Sequence, residues 1–249
     1  MVLIYKSYNK TMNTVLFDLD GTLLPMDLDE FIKNYFGELR LYLNKTGLDG
    51  DEIIKGVMLG TSKMLVNDGK KTNERVFWET FEKSTAFKES DLLEVLKTFY
   101  SNNFQKIENI CSKNKNMIDA VKILKDKGYR LICATNPIFP KIATESRLKW
   151  SGVDIDAFDT FTTFEDYGFC KPDVMYYAEL GEKYDVDFSE CLMVGNDAKD
   201  DMSVKKLGAS VYLVNDHLIS RDEDEEAEAD HIGSSEEFLD FVKGLDNLA

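Results

Sequence analysis

Nowhere does the sequence approach the roughly 18 consecutive apolar residues that a membrane-spanning helix needs. Positive charge is also scarce: 30 Lys and Arg stand against 46 Asp and Glu, a net charge of −16. So acidic a surface repels nucleic acid and anionic lipid, and neither is an expected partner. The only four cysteines, Cys111, Cys133, Cys170 and Cys191, show no metal or redox spacing. They read as reduced, mostly buried thiols of a cytoplasmic protein. The two histidines, His217 and His231, fall in the last fifth of the chain, and both are expected at the surface or a sheet edge, away from any site. Met1 to Thr14 lacks a long apolar stretch and a small-residue cleavage site, so no secretory signal is read there. Met12 sits just before the first strand and is a second candidate start, with the eleven residues before it expected as a loose extension. There are no repeats and no low-complexity linker. The acidic run RDEDEEAEAD at 221–230 reads as a solvated loop.

What is present is enough apolar material for a core: 43 % of 249 residues, in short runs. Buried strands are expected at Thr14–Asp18, Tyr129–Ala134, Thr160–Thr163, Cys191–Val194 and Ser210–Val214, with a short last one at Ala229–Ile232. Helical patterns run from Met117 to Lys127, stopped by Gly128, from Asp173 to Tyr184, and from Asp201 to Leu207, stopped by Gly208; a last one opens at Ser235. Alternating strands and helices imply a parallel sheet covered on both faces.

One interval breaks the alternation. More than 100 residues separate the first two strands, whereas a complete βαβ unit needs about 30. The excess has helical periodicity: Phe31, Ile32, Tyr35, Phe36, Leu39 and Leu43 after a cap at Asp27 or Asp29, then apolar sets at 53–65, 76–81 and 92–100. The expected architecture is a Rossmann-like, doubly wound parallel α/β core, residues 1–26 and 109–249, with an inserted all-helical cap domain at 27–108. The joints near Pro25–Asp27 and Glu108–Lys115 are expected hinges.

Four polar clusters follow the expected strands, where open α/β sheets gather their ligands. They are Asp18-Leu19-Asp20-Gly21-Thr22, Thr135-Asn136-Pro137, Lys171-Pro172, and Gly195-Asn196-Asp197 with Asp200 and Asp201. Singly, each is ordinary turn or cap chemistry. Together they supply a carboxylate, a cation, hydroxyl and amide donors, and enough acids for a divalent metal. That combination makes carboxylate attack on phosphorus feasible.

These clusters, in this order, resemble the motifs of the haloacid dehalogenase-like hydrolase superfamily. Asp18-Leu19-Asp20-Gly21-Thr22-Leu23-Leu24 is similar to its first motif, Thr135 to the second, Lys171 to the third, and Asp197 with Asp201 to the fourth. The insertion stands where the family places a helical cap. The fourth cluster departs from the pattern, reading Gly195-Asn196-Asp197 where many relatives begin Gly-Asp. The resemblance implies a magnesium-dependent phosphatase with an aspartyl-phosphate intermediate. Asp18 is then the nucleophile, Asp20 the general acid and base, and Lys171 the neutralising cation. Thr135, Asn136 and Lys171 would hold the phosphoryl group. Asp18, the Asp20 carbonyl and Asp197 would bind Mg²⁺, with Asp201 in support. A phosphomutase would retain every one of these residues. A dehalogenase of this fold would lack Asp20, and a non-catalytic relative would lack Asp18 or Asp20. The expected partner is a small phosphorylated metabolite, and the expected state a monomer or small homo-oligomer.

Overall fold

The structure, a computed structural model, describes residues 12–221 and 228–248. The extension before Met12 and most of the acidic run lie outside the described residues. Six short strands form one parallel sheet: β1 Thr14–Phe17, β2 Arg130–Cys133, β3 Thr160–Phe161, β4 Cys191–Gly195, β5 Ser210–Val214 and β6 His231–Gly233. The spatial order is β3-β2-β1-β4-β5-β6, with β1 paired in register to β2 on one side and β4 on the other. The order reverses at β1 and β4, which opens a crevice beyond their carboxyl ends.

Strand alternation divides the core. Val15 and Phe17 face one cluster, Leu16 the other. The first face is covered by α5 (Lys115–Asp126) and α8 (Ser235–Gly244), the second by α7 (Val174–Tyr184), which lays Tyr176, Tyr177 and Leu180 beneath Leu16, Ile132 and Met193. Full burial on both faces explains why the strands read as continuous apolar runs; each buried Leu or Val side chain contributes about 1.5–3 kcal/mol. Helix α8 begins with a Ser234–Glu237 capping box.

Between β1 and α5 lie α1 (Leu28–Lys45), α2 (Gly50–Met64), α3 (Asn73–Ser84) and α4 (Glu89–Ser101). Asp27 is the cap of α1, accepting from the Glu30 N–H at 2.8 Å. These helices are joined to the α/β core by more than their linkers. The Asn73 and Glu74 N–H groups, which have no acceptor within α3, donate to the Tyr167 and Phe164 carbonyls at 2.7 and 2.9 Å. The two expected hinges also touch, Ser112 N–H donating to the Pro25 carbonyl at 3.1 Å.

Three elements differ from the sequence reading. Met202–Leu207 is a 3₁₀ run rather than an α-helix. Strand β3 is only two residues long, and just beyond it the Thr162 hydroxyl donates to the Thr135 carbonyl. A helix without an apolar stripe, α6 (Lys141–Ser151), lies between β2 and β3. No helix among the described residues is long and apolar enough to cross a membrane.

Candidate active site

The switch-point crevice brings the four polar clusters together. Asp18 follows β1 directly, and its N–H donates to the Val194 carbonyl of β4 at 2.8 Å. Its side chain is nearly closed off from solvent. The chain then turns back through Gly21, at φ +83°, where an added Cβ would overlap the Asn196 amide. Thr22 donates to Asn196 Oδ1 at 2.9 Å, and Asn196 Nδ2 donates to the His217 carbonyl at 2.7 Å. Asn196 is therefore a buried brace between the first motif and the loop after β5.

Lys171 is buried between two carboxylates, its Nζ 3.0 Å from Asp18 Oδ1 and 2.6 Å from Asp201 Oδ1. Burial alone would lower its pKa, but Asp18 and Asp201 outweigh that and hold it well above the usual lysine value. Burial pushes the Asp18 carboxyl up against the pull of Lys171, and pushes Asp201 up to about 7. Asp201 also accepts from the Asp197 N–H at 3.0 Å, and a Cβ on Gly195 would overlap its carboxylate.

The remaining acids of the fourth cluster divide the work. Asp197 accepts from the N–H groups of Lys199 and Asp200, and both its oxygens meet Arg221, at 2.9 and 3.0 Å. Burial would raise its pKa, yet Arg221 and the two N–H donors leave it below the usual carboxylate value. The Asp200 carboxylate accepts from the Asn136 amide at a long 3.5 Å. Burial, with Asp197 and Asp18 adding repulsion, raises Asp200 to about 6. Among the described residues no three acidic, histidine or cysteine side chains converge as a metal cage.

Thr135 is buried after β2, its carbonyl fixed by Thr162 and by Tyr176 OH at 3.0 Å. Asn136 Nδ2 reaches both the Lys171 carbonyl and Asp200, each at 3.5 Å, while its Oδ1 is buried without a partner among the described residues. Asn73 of α3 braces this loop, donating to Pro137 O at 3.1 Å and Phe169 O at 3.3 Å.

Two residues at the site escape the sequence reading. Arg147 of α6 is 0 % exposed and ion-pairs with Asp20 Oδ2. The bracket Pro140…Gly152, with Gly152 in the left-handed region, is the sequence signal that marks its helix. Arg221 carries no such signal. His217, expected away from the site, stands at its rim: its side chain is exposed, but it lines a cavity of about 240 Å³ with Asp20, Gly21 and Asn196. The correction has a simple cause, since the loop after β5 also leaves the sheet at its carboxyl end. His231 lies on edge strand β6, as expected.

Beside the crevice is a larger cavity of about 440 Å³, mostly apolar, between the inserted helices and the loop after β2. Its walls include Tyr35, Phe36, Val57, Phe77, Trp78 and Phe139. That volume suits a small organic ligand.

Residues 12–208 match the family described as haloacid dehalogenase-like hydrolase. Pyrophosphatase PpaX of Bacillus pumilus is 25 % identical over 198 residues, 80 % of this chain and 81 % of that protein. The same enzyme of Bacillus velezensis is 26 % identical over 200 residues, 80 % and 82 % of the two chains. The crystal structure of a HAD phosphatase from Thermococcus onnurineus superposes with a TM-score of 0.58 at 22 % identity, covering 95 % of this chain and all of the other. A dehalogenase solved with an intermediate superposes at 0.56 and 17 % identity, covering 96 % and 99 %. At these identities the two structures show the shared fold.

Proposed function

The chain belongs to the haloacid dehalogenase-like hydrolases, and from that premise we propose that it is a magnesium-dependent phosphohydrolase of small phosphomonoesters. The observation that carries the reading is the placement of Lys171 against Asp18 in a buried crevice. A carboxylate can approach a phosphate dianion only where a cation offsets the repulsion.

In this reading an Asp18 oxygen attacks phosphorus and forms an aspartyl-phosphate as the leaving oxygen departs. Thr135 and the Asn136 amide hold the phosphoryl oxygens, and Lys171 neutralises the charge. Asp20 gives a proton to the leaving oxygen, then takes one from the water that hydrolyses the intermediate. The donors present fit a hard divalent cation, which takes oxygen ligands and is usually held by one or two carboxylates. Asp18, the Asp20 carbonyl and one acid of the fourth cluster would hold it. The resemblance points to Asp197 as that acid; the engagement of both its oxygens by Arg221 favours Asp200 instead, with Asp197 and Asp201 orienting the turn. Bound there, Mg²⁺ supplies charge neutralisation for phosphoryl transfer.

Residues 27–108 act as the cap, excluding water and limiting the size of the leaving group. The relatives named as pyrophosphatases make pyrophosphate one candidate substrate. The apolar walls of the larger cavity favour an organic leaving group over a second phosphate.

Phosphate release from p-nitrophenyl phosphate, with and without Mg²⁺, tests the reading. Activity should require the metal and vanish in Asp18→Asn; undiminished turnover by that variant, folded, overturns the covalent mechanism. A panel of phosphorylated metabolites, pyrophosphate, phosphopeptides and phosphorylated oligonucleotides then tests the cap. Equal turnover of the macromolecules would remove its gating role.

A further inference from the structure

Arg147 has no part in the motifs, yet it makes direct contact with Asp20. Its guanidinium is fully buried and pinned on several sides. Nε points to the Ala143 carbonyl at 3.4 Å, Nη2 to Thr144 Oγ1 at 3.3 Å, and Cζ lies 4.4 Å from the centre of the Phe139 ring. The remaining arm, Nη1, pairs with Asp20 Oδ2. The other Asp20 oxygen, Oδ1, is buried and has no hydrogen-bond partner among the described residues.

A buried guanidinium needs a counter-ion, because an unpaired charge out of water is costly. Here its planar fork is locked by the helix that carries it and by the aromatic ring beneath it. A side chain fixed in this way does more than balance charge: it sets where the Asp20 carboxylate rests and which of its oxygens is spoken for. A residue held to within a fraction of an ångström transfers protons far more effectively than one free to rotate.

We infer that Arg147 is a positioning residue for Asp20, docking Oδ2 so that Oδ1 is the oxygen presented to the leaving group and then to water. The inference rests on the proposed role of Asp20 as proton donor and acceptor. The alternative is that the pair merely fastens α6 to the loop after β1.

The two are separated by leaving-group dependence. The ratio kcat/KM reports the steps through phosphoryl transfer to Asp18. A nitrophenolate leaves without a proton, whereas an alkoxide requires one. Wild type, Arg147→Met, Arg147→Lys and Asp20→Asn are compared on p-nitrophenyl phosphate and ethyl phosphate. For Arg147→Met, kcat/KM on ethyl phosphate should fall about 10²-fold, and on p-nitrophenyl phosphate by less than about fivefold. Arg147→Lys, which keeps the charge but not the fork, should show a smaller split in the same direction, and it decides the matter where Arg147→Met does not fold. Equal losses on both substrates, or no loss on ethyl phosphate, overturn the inference. The Asp20→Asn control keeps the two readings apart. A split there without one in the Arg147 variants sinks the Arg147 inference alone, and no split in Asp20→Asn sinks the role of Asp20 and this inference with it.

Discussion

Asn73 Nδ2 donates to the Pro137 carbonyl at 3.1 Å, so a helix of the insertion braces the loop that presents Thr135 and Asn136. The same amide reaches Phe169 O at 3.3 Å, two residues before Lys171. Asn73→Leu keeps the volume and removes the donors. Leaving buried carbonyls unpaired costs about 1–3 kcal/mol. The expected outcome is a lower unfolding midpoint together with weakened turnover, read by thermal melts and steady-state assays on one preparation. An unchanged melt would mean that the brace bears no load.

Lys171→Met should damage both stability and activity. It leaves Asp18 and Asp201 buried without their cation, and breaking such a pair typically costs about 3–5 kcal/mol. Loss of the neutralising charge should lower kcat by about 10²–10³-fold, the range found for single electrostatic contacts at a reacting oxygen. Denaturant titration and kinetics of the variant check the two separately.

Helix α2 carries Gly56 and Gly60 one turn apart, against Phe81 and Phe77 of α3. Alanine is the better helix former by about 1 kcal/mol. A Cβ on Gly60, however, would lie 2.6 Å from a Phe77 ring carbon. Overpacking costs about 1–3 kcal/mol, so the net effect of Gly60→Ala should be destabilising. A rise in melting temperature would show that Phe77 moves aside at no cost.

His231 gives a pH dependence of definite sign. Burial beside Tyr212 and Phe241 lowers its pKa below the usual 6.5, against a weaker opposing pull from Asp230. The unfolded chain then binds the proton more readily than the folded one, so this residue's contribution is complete above pH 6.5 and declines as pH falls through the lowered value. His231→Gln should therefore show a smaller loss of stability than wild type between about pH 7.5 and pH 5.5 in urea titrations.

The parts of this molecule that could be read from sequence are those whose burial is apolar and regular. Leu16, Ile132 and Met193 sit in runs buried on both faces, and such runs announce a parallel sheet. Phe31, Tyr35, Leu39 and Leu43 recur at helical spacing and announce the insertion. Helix α6 is different: it buries Thr144, Ser146, Arg147 and Ser151 through hydrogen bonds, so no hydrophobic stripe betrays it. The same limit applies to Asp197. The resemblance implies a metal-binding role for Asp197 but not its ion pair with Arg221, which arrives from a loop 24 positions away, a distance over which spacing rules say nothing. His217 is exposed, as expected from sequence, and it is its backbone carbonyl, accepting from Asn196, that reaches the site.

The sheet order has a consequence for how the protein is made. Thr14 pairs with Arg130 and with Cys191, the latter 177 positions on. At about 5–20 residues per second, a ribosome needs roughly 9–35 s to travel that distance. Until Arg130 is made, 116 positions on, the apolar segment Thr14–Phe17 has neither neighbour, and until Cys191 is made it lacks the second; an unpaired hydrophobic strand is the kind of surface that chaperones cover. Helices α1 to α4 rely more on contacts near in sequence and can form while the nascent chain is still growing. Asp18 is thus synthesised well before Lys171 and Val194, which come to surround it.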